Sequence, residues 1–328
     1  MTLAALVAAI SFGAIAARAQ KLASPYRSNE SVRSDKFTGG RVERASLVAG
    51  DEDIEITVDV PAFRLTLWQN GKEVKTYAVG VGRKDFPISI GEKQASEIIW
   101  NPDWIPPNSE WVTGRRGVKA GEVIRASDPR NPLGKLKIPL GYGYLIHQAA
   151  AVTDLGNLVS HGCIRMLRTD LYDLAEKIIA ARGVPVEPKK IANAKVTKNT
   201  VVAKLDKPLM VDINYDTQVV EGGYLHLYPD VYERGTNTVE ALRAELESSG
   251  VDASAVDDAT LKRMLARVNA KQKYVVSVES LAAGRALADG RVLPLVGAPA
   301  AKKKVAVKRR AAPTLDPWAG RLTDTTAV

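Results

Sequence analysis

The residues of this chain best suited to chemistry are its single cysteine, Cys163, and a histidine, His147, that stands 16 positions before it. A thiol is a nucleophile only as the thiolate, so it needs a base or a positive field nearby. A histidine within hydrogen-bond reach supplies such a base. Sixteen residues are too many for one turn and suit the far strand of a connected pair. The spacing therefore predicts nucleophilic acyl chemistry at Cys163 with His147 as base.

Two neighbours of Cys163 fit the same chemistry. Gly162 lets the backbone turn tightly, and its N–H, together with that of Cys163, can point towards a developing oxyanion. In a locally extended segment, Arg165 lies on the same side as Cys163. There it either lowers the thiol pKa or binds a substrate carboxylate in a bidentate manner, and the carboxylate role is slightly favoured.

Other interpretations of these residues stay open. A lone cysteine is more often a small core residue than a nucleophile, and a lone histidine is usually structural. A zinc site made of His147, His161 and Cys163 matches no structural zinc spacing and lacks a fourth ligand. We therefore predict no metal, and the combination of thiol, histidine, glycine and arginine favours catalysis.

The elements that must position these groups begin with a predicted β-meander. Residues 54–60 and 63–67 alternate apolar and polar side chains, the period of a half-buried strand. Asn70-Gly71 is typical of a tight hairpin turn into a third strand at 74–81. These patterns predict a mainly β beginning to the folded region.

Between the meander and Cys163, residues 85–143 are rich in proline and glycine, and we expect mainly loops between short strands there. Trp104 is one of three tryptophans in this stretch that suit either a sugar or peptide groove or packing of the loop. After the nucleophile, an apolar helical face at 171–179 follows a predicted cap at Thr169 or Asp170. The remaining predicted elements are short strands at 136–138 and 144–146, strands at 209–215 and 224–227, and helices at 239–248 and 259–268.

Composition and charge limit the classes of protein to which this chain can belong. Hydrophobic residues make up 45% and charged residues 25%, which fits a soluble globular chain and not a polytopic membrane protein. The first residues form an apolar run ending in Ala17-Arg18-Ala19, the small-x-small pattern that signal peptidases cut, although no Lys or Arg stands near Met1. We expect an exported protein, in which one unpaired thiol calls for a functional explanation. The net charge of +9, partly in 302–310, suits acidic polymers, anionic lipid or nucleic acid on charge alone.

Five segments follow from these patterns. They are an apolar signal peptide or anchor (1–19), a linker (20–52), a catalytic domain (53–189), an accessory α+β region (190–285) and a basic Ala/Pro/Lys-rich tail (286–328). The tail is expected to be disordered, with its basic residues either solvated or touching an anionic membrane or wall polymer.

The run from Ser160 to Met166, preceded by Ile146-His147 and by residues 131–134, resembles the catalytic domain of the L,D-transpeptidases. The resemblance extends from about residue 54 to 188. It implies a mainly β, sandwich-like fold with a few helices, and a periplasmic or cell-envelope enzyme. It also implies that the enzyme forms a thioester acyl-enzyme from peptidoglycan stem peptides and is acylated by carbapenems. It implies no cofactor and no nucleic-acid partner.

By this resemblance, Cys163 attacks the third, diamino acid residue of a tetrapeptide stem and expels the terminal D-alanine. An amine of a second stem, or of an envelope lipoprotein, then resolves the thioester. His147 is the implied base, His161 orients the site, and the N–H groups of Gly162 and Cys163 stabilise the oxyanion. The predicted substrate-binding residues are Arg165, Ser160, Gln148 and Trp104.

One departure from the family pattern concerns the groove beside the base. Gln148 and Ala149 follow His147, where the family commonly has glycine, so the preference for a donor is open. Two alternative functions also stay open. The acyl-enzyme can pass to water, as in a carboxypeptidase or a protein-release amidase, or the domain can bind the wall without catalysis. The intact Cys163, His147 and Gly162 argue against the binding module.

Overall fold

The computed structural model describes residues 54–296. The predicted signal segment or anchor (1–19), the linker (20–52) and the basic cluster at 302–310 lie outside these residues. The strands are β1 (Ile54–Asp59), β2 (Arg64–Gln69), β3 (Lys72–Ala78), β4 (Val81–Gly82), β5 (Gly91–Trp100), β6 (Leu136–Pro139), β7 (Leu145–Gln148), β8 (Leu158–Ser160), β9 (Ile164–Met166), β10 (Val201–Asn214), β11 (Gln218–Glu221), β12 (Tyr224–Leu227), β13 (Gln272–Ser277) and β14 (Arg291–Pro294). The helices are α1 (Glu110–Thr113), α2 (Arg168–Arg182), α3 (Pro188–Val196), α4 (Val239–Ser248), α5 (Asp258–Leu265), α6 (Val278–Ala282) and α7 (Ala286–Asp289). No helix within this range is long and apolar enough to cross a membrane.

Eight strands form the main sheet, in the order β3-β2-β1-β10-β5-β6-β7-β9. In this sheet β1 runs parallel to β10 and β7 runs parallel to β9, whereas the other neighbours are antiparallel. β4 pairs with β8 in a separate two-stranded ladder. The mainly β fold with a few helices is therefore confirmed.

Hydrophobic alternation explains the start of the sheet. Ile54, Ile56 and Val58 of β1 are buried in the core, and the residues between them are less buried or face the other side. Asn70 and Gly71 have φ values of 51° and 71°, the left-handed pair that a type I′ hairpin turn requires. The predicted meander is confirmed.

The helix predicted after the nucleophile is confirmed as α2, which packs its apolar side chains in the core of the main sheet. It ends at Gly183, whose φ of 58° is a conformation that glycine adopts readily. Its first residue is Arg168, which precedes the predicted cap at Thr169 or Asp170. Leu167 occupies the N-cap position without a side-chain hydrogen bond, so the predicted cap is wrong.

The expectation of mainly loops and short strands at 85–143 is wrong for residues 91–100, because β5 is a ten-residue strand between β10 and β6. Its fully buried side chains are Ala95, Ile98 and Trp100, and the first two are three residues apart. This spacing departs from the period of two that identifies a strand, and polar residues fill the rest of the first half.

The C-terminal region forms a second sheet of four antiparallel strands, in the order β11-β12-β13-β14. Its apolar cluster includes Leu225 and Tyr274 from the sheet and Leu242 and Leu261 from α4 and α5. The small α+β region that the sequence predicts is therefore confirmed.

β10 follows the predicted catalytic domain in the sequence, yet it lies near the middle of the main sheet. Its residues 210–214 pair with β1, and residues 201–204 and 209–213 pair with β5. The sheet therefore continues beyond residue 189, where the sequence places the end of the domain, and the five segment limits stay a prediction.

A chain shortened to residues 53–189 should lack a cooperative thermal transition, because the facing edges of β1 and β5 have no partner without β10. A chain of residues 53–296 keeps β10 and should unfold cooperatively. Thermal unfolding followed by circular dichroism compares the two. A cooperative transition in the shorter chain would show that the sheet forms without its central strand.

Candidate active site

Cys163 lies on the turn that joins β8 to β9. The Ser160 hydroxyl donates a 2.5 Å hydrogen bond to the Cys163 carbonyl and closes this turn. Gly162 has a φ of 105°, and a Cβ at this position would lie 2.9 Å from a ring carbon of Tyr144. Both the backbone conformation and the close approach therefore favour glycine. Because Ser160 is only 1% exposed, its observed role is to hold the turn, and its contact with substrate stays a prediction.

The Cys163 thiol is partly buried beside the segment 143–145. Its Sγ lies 3.9 Å from the Gly143 carbonyl oxygen, the length of a weak thiol hydrogen bond. Burial raises the pKa of the thiol, and this outweighs the lowering by the Leu145 N–H and the charge of Arg165. The Cys163 thiol is therefore neutral near pH 7, and it would need a base to become a nucleophile.

His147 lies on β7, the parallel neighbour of β9. Ile146 pairs with Ile164 and both enter the core, so His147, Cys163 and Arg165 share the opposite face. The strand spacing and the rise per residue separate the Cα atoms of Cys163 and His147 by about 8 Å. Within residues 54–296, no hydrogen bond joins the thiol to this ring, and His147 Nδ1 has no partner.

The electrostatic environment keeps His147 neutral. Burial lowers its pKa to about 4, and the charge of the neighbouring Arg165 acts in the same direction. A neutral imidazole is the form that accepts a proton, so the ring has the protonation state of a general base. Arg165 also favours the thiolate of Cys163, since a nearby positive charge stabilises an anion.

Arg165 forms an ion pair with Asp154, with 3.0 Å between Nη1 and Oδ2. The same Asp154 oxygen accepts a 2.9 Å hydrogen bond from the Ala150 N–H. Of the described residues, none accepts a hydrogen bond from the buried Nε of Arg165. A substrate carboxylate would therefore share this guanidinium with an internal carboxylate, and the predicted substrate contact of Arg165 stays a prediction.

His161 lies in an aromatic cluster at the edge of the site. Its ring stacks on Trp111 with 4.3 Å between centroids and meets the Phe86 ring edge-on at 4.8 Å. Trp104 also stacks on Trp111, with 6.2 Å between centroids, and is only 5% exposed, in a cluster with Ile124 and other apolar side chains. The position of Trp104 indicates packing of the loop, and Trp111 is the tryptophan that contacts His161.

Gln148 links β7 to the preceding loop. Its Oε1 accepts a 2.9 Å hydrogen bond from the Lys135 N–H, and its side chain lies so close to Gly134 that a Cβ there would be 2.6 Å away. Gln148 therefore anchors residues 133–135, and its contact with a donor stays a prediction.

The sequence analysis missed two residues that the structure brings to the site. Asp154 lies in a single 3₁₀ turn with no motif around it, so nothing in the sequence pointed to its pairing with Arg165. Trp111 was visible as one of three tryptophans, but only the fold shows which of them meets His161.

The zinc alternative required His147, His161 and Cys163 to converge. The ring of His161 instead lies between Trp111 and Phe86. Among residues 54–296, no group of three or more His, Cys, Asp or Glu side chains is placed to hold a metal ion.

Comparison with known proteins identifies the segment that carries this site. Residues 53–197 match the family model of the L,D-transpeptidase catalytic domain. The chain is 29% identical over 126 residues to the probable L,D-transpeptidase YbiS of Escherichia coli K12, which covers 38% of this chain and 41% of that protein. It is 28% identical over 139 residues to the probable L,D-transpeptidase ErfK/SrfK of the same strain, covering 40% and 43%. A solved L,D-transpeptidase from Mycobacterium smegmatis aligns with 16% identity and a TM-score of 0.28, over 50% of this chain and 59% of that one.

Residues 53–197 therefore match the L,D-transpeptidase catalytic domain, and the resemblance seen in the sequence is confirmed. The matches span about two fifths of the length of these curated relatives.

The rate of Cys163 alkylation by iodoacetamide should keep rising with pH beyond about pH 8.5, the ordinary pKa of a free cysteine. The reason is that burial raises the pKa of this thiol. A preformed thiolate–imidazolium pair would instead react at a nearly constant rate from about pH 5 upwards. Mass spectrometry of the labelled chain gives the rates, with Cys163→Ala as the blank. A flat profile would contradict a neutral resting thiol.

Proposed function

We propose that this chain is an L,D-transpeptidase of the cell envelope that acts on peptidoglycan tetrapeptide stems through Cys163. The observation that carries the proposal is a neutral, partly buried thiol on a glycine turn, on the same face as the neutral imidazole of His147. The family match over residues 53–197 supports the substrate class. The apolar N-terminal run of the sequence supports the location.

In the proposed acylation, the Cys163 proton passes to His147 and Sγ bonds to the carbonyl carbon of the third stem residue. The carbonyl π electrons move to oxygen. Within the described range, the N–H groups of Gly162 and Cys163 donate no hydrogen bond, so both are available to this oxyanion. Re-formation of the C=O bond breaks the bond to the terminal D-alanine, whose nitrogen takes the proton back from His147.

In deacylation, an acceptor becomes the nucleophile and the Cys163 Sγ becomes the leaving group. An acceptor amine bonds to the thioester carbon, its proton passes to His147, and Sγ leaves and regains a proton. The acceptor is a diamino acid side chain of a second stem or an amine of an envelope lipoprotein. Water in place of the amine makes the same site a hydrolase, because the acyl-enzyme is common to both reactions.

A basic cavity near the site suits the carboxylates of a stem peptide. The cavity has a volume of about 500 Å³, and its lining includes Arg115, Arg116, Lys119 and Arg130, against one carboxylate from Glu122. Glu122 and Asp128 already pair with Arg130. Arg115 lies over the Trp104 ring at 5.1 Å, next to the stack that reaches His161. The remaining positive charge favours an anionic peptide.

The proposed reaction predicts a Cys163-dependent change of a disaccharide-tetrapeptide in the presence of an amine acceptor. Mass spectrometry should detect a cross-linked dimer or an acceptor adduct with the native chain and neither with Cys163→Ala. Tripeptide as the sole product would favour the hydrolase. Turnover that survives in Cys163→Ala would rule out the mechanism, and no turnover beside an active control enzyme would favour wall binding or a different donor.

The cavity predicts that reversing its free charges weakens substrate binding. The double variant Arg116→Glu/Lys119→Glu should raise KM several-fold, about 1 kcal/mol, and change kcat little, because these side chains do not touch the reacting atoms. Steady-state kinetics at low salt measures both constants. A double reversal on exposed residues elsewhere, Lys189→Glu/Lys262→Glu, is the matched control for net charge. Equal effects in both variants would remove the cavity from the substrate site.

A further inference from the structure

One tyrosine of the C-terminal region, Tyr232, contacts β4 and the loop that follows it. The Tyr232 hydroxyl donates a 3.1 Å hydrogen bond to the Gly82 carbonyl and accepts a 3.3 Å hydrogen bond from the Ile88 N–H. A single phenol thus holds both ends of residues 82–88, which we term the buttress loop. Burial raises the pKa of Tyr232 to about 12, so the hydroxyl keeps its proton and remains a donor.

The buttress loop lies directly against the turn that carries Cys163. Gly82 pairs with Ser160, and a Cβ on Gly82 would lie 3.0 Å from the Gly162 Cα. Phe86 of the loop supplies the edge-on contact to the His161 ring. Because backbone meets backbone here, a displacement of the loop must move the turn with it.

Tyr232 is itself held firmly. Its ring stacks on Tyr215 with 5.5 Å between centroids, and its N–H donates a 2.6 Å hydrogen bond to the Tyr215 hydroxyl. The Tyr215 hydroxyl in turn donates to Asp230 at 2.6 Å. The Arg234 guanidinium lies 4.6 Å from the Tyr215 ring centroid. Tyr215 directly follows β10, so this network begins at the centre of the main sheet.

We infer that Tyr232 is a positioning residue for the reaction of Cys163, acting through the buttress loop on the Ser160–Cys163 turn. This inference rests on the proposed function and gives the segment after β10 a part in it. Removing the hydroxyl leaves the Gly82 carbonyl and the Ile88 N–H without this partner, and the loop loses its fixed distance from the turn. The oxyanion donors and the thiol then no longer hold the geometry that acylation requires.

The test compares Tyr232→Phe with the native chain in two assays. The rate of acylation by a carbapenem should fall about tenfold, because a misplaced turn affects the reacting atoms. For turnover of the tetrapeptide, kcat should fall about tenfold and KM should change little. Alkylation of Cys163 by iodoacetamide at pH 7 should become about threefold faster, since a loosened turn exposes the thiol and lowers its pKa. Alkylation needs no transpeptidase activity, so it still tests Tyr232 if the native chain turns over no peptide.

Two control variants separate positioning from loss of stability. Leu281→Ala opens a cavity in the second cluster, away from the buttress loop, and should lower the unfolding midpoint while kcat and alkylation stay native. Tyr172→Phe removes a buried hydroxyl that has no partner among the described residues and should change neither assay. Native kcat and alkylation in Tyr232→Phe would overturn the inference. So would a loss of kcat in Leu281→Ala equal to that in Tyr232→Phe.

Discussion

The parallel register of β7 and β9 is the constraint on which the site depends. Pairing of Ile146 with Ile164 commits two large aliphatic side chains to the core. The residues on either side of them must then face the other way, which brings Cys163, His147 and Arg165 to one surface. A slip of one residue would bury the arginine and expose the isoleucines, so the hydrophobic core fixes the arrangement of the polar groups.

Burial and the charge of Arg165 affect the pKa values of Cys163 and His147 in different ways. Burial disfavours the charged form of each, so it raises the pKa of the Cys163 thiol and lowers that of His147. Arg165 favours the thiolate and disfavours the imidazolium, and Asp154 moderates its charge. The result is a pair that is neutral at rest and becomes charged only as a bond forms. In the proposed reaction, such a pair would ionise when a bound carbonyl is present and would be less sensitive to small electrophiles in solution.

The sequence alone was sufficient to predict those elements whose local pattern is typical of one structure. The alternation in β1, the Asn70-Gly71 turn and the apolar face of α2 were all predicted, because each depends on residues close in the chain. The motif around Cys163 led to the family whose model matches residues 53–197. The partner of Arg165 and the partner of His161 could not be predicted, because Asp154 and Trp111 reach them only through the fold.

The position of β10 follows from no local pattern at all. Its alternating residues predicted a strand at 209–215, but its neighbours are set by sheet order, which depends on contacts more than a hundred residues apart for β5 and β1. The assignment of substrate contacts to Trp104 rested on residue type, and burial in its own cluster is a tertiary property. In both cases, long-range packing decides between two possible uses of the same residues, and a local sequence pattern does not contain that information.

The central place of β10 also bears on the order in which the chain can fold as it is made. β1 and β5 are synthesised first, and each lacks its neighbour on one side until Val201–Asn214 has been synthesised. Cys163, His147 and the turn between β8 and β9 are all present in the nascent chain by then, but the sheet that supports them is not complete. Assembly of the site is therefore expected to be a late event, governed by the slow closure of a long loop rather than by the local turn around Cys163.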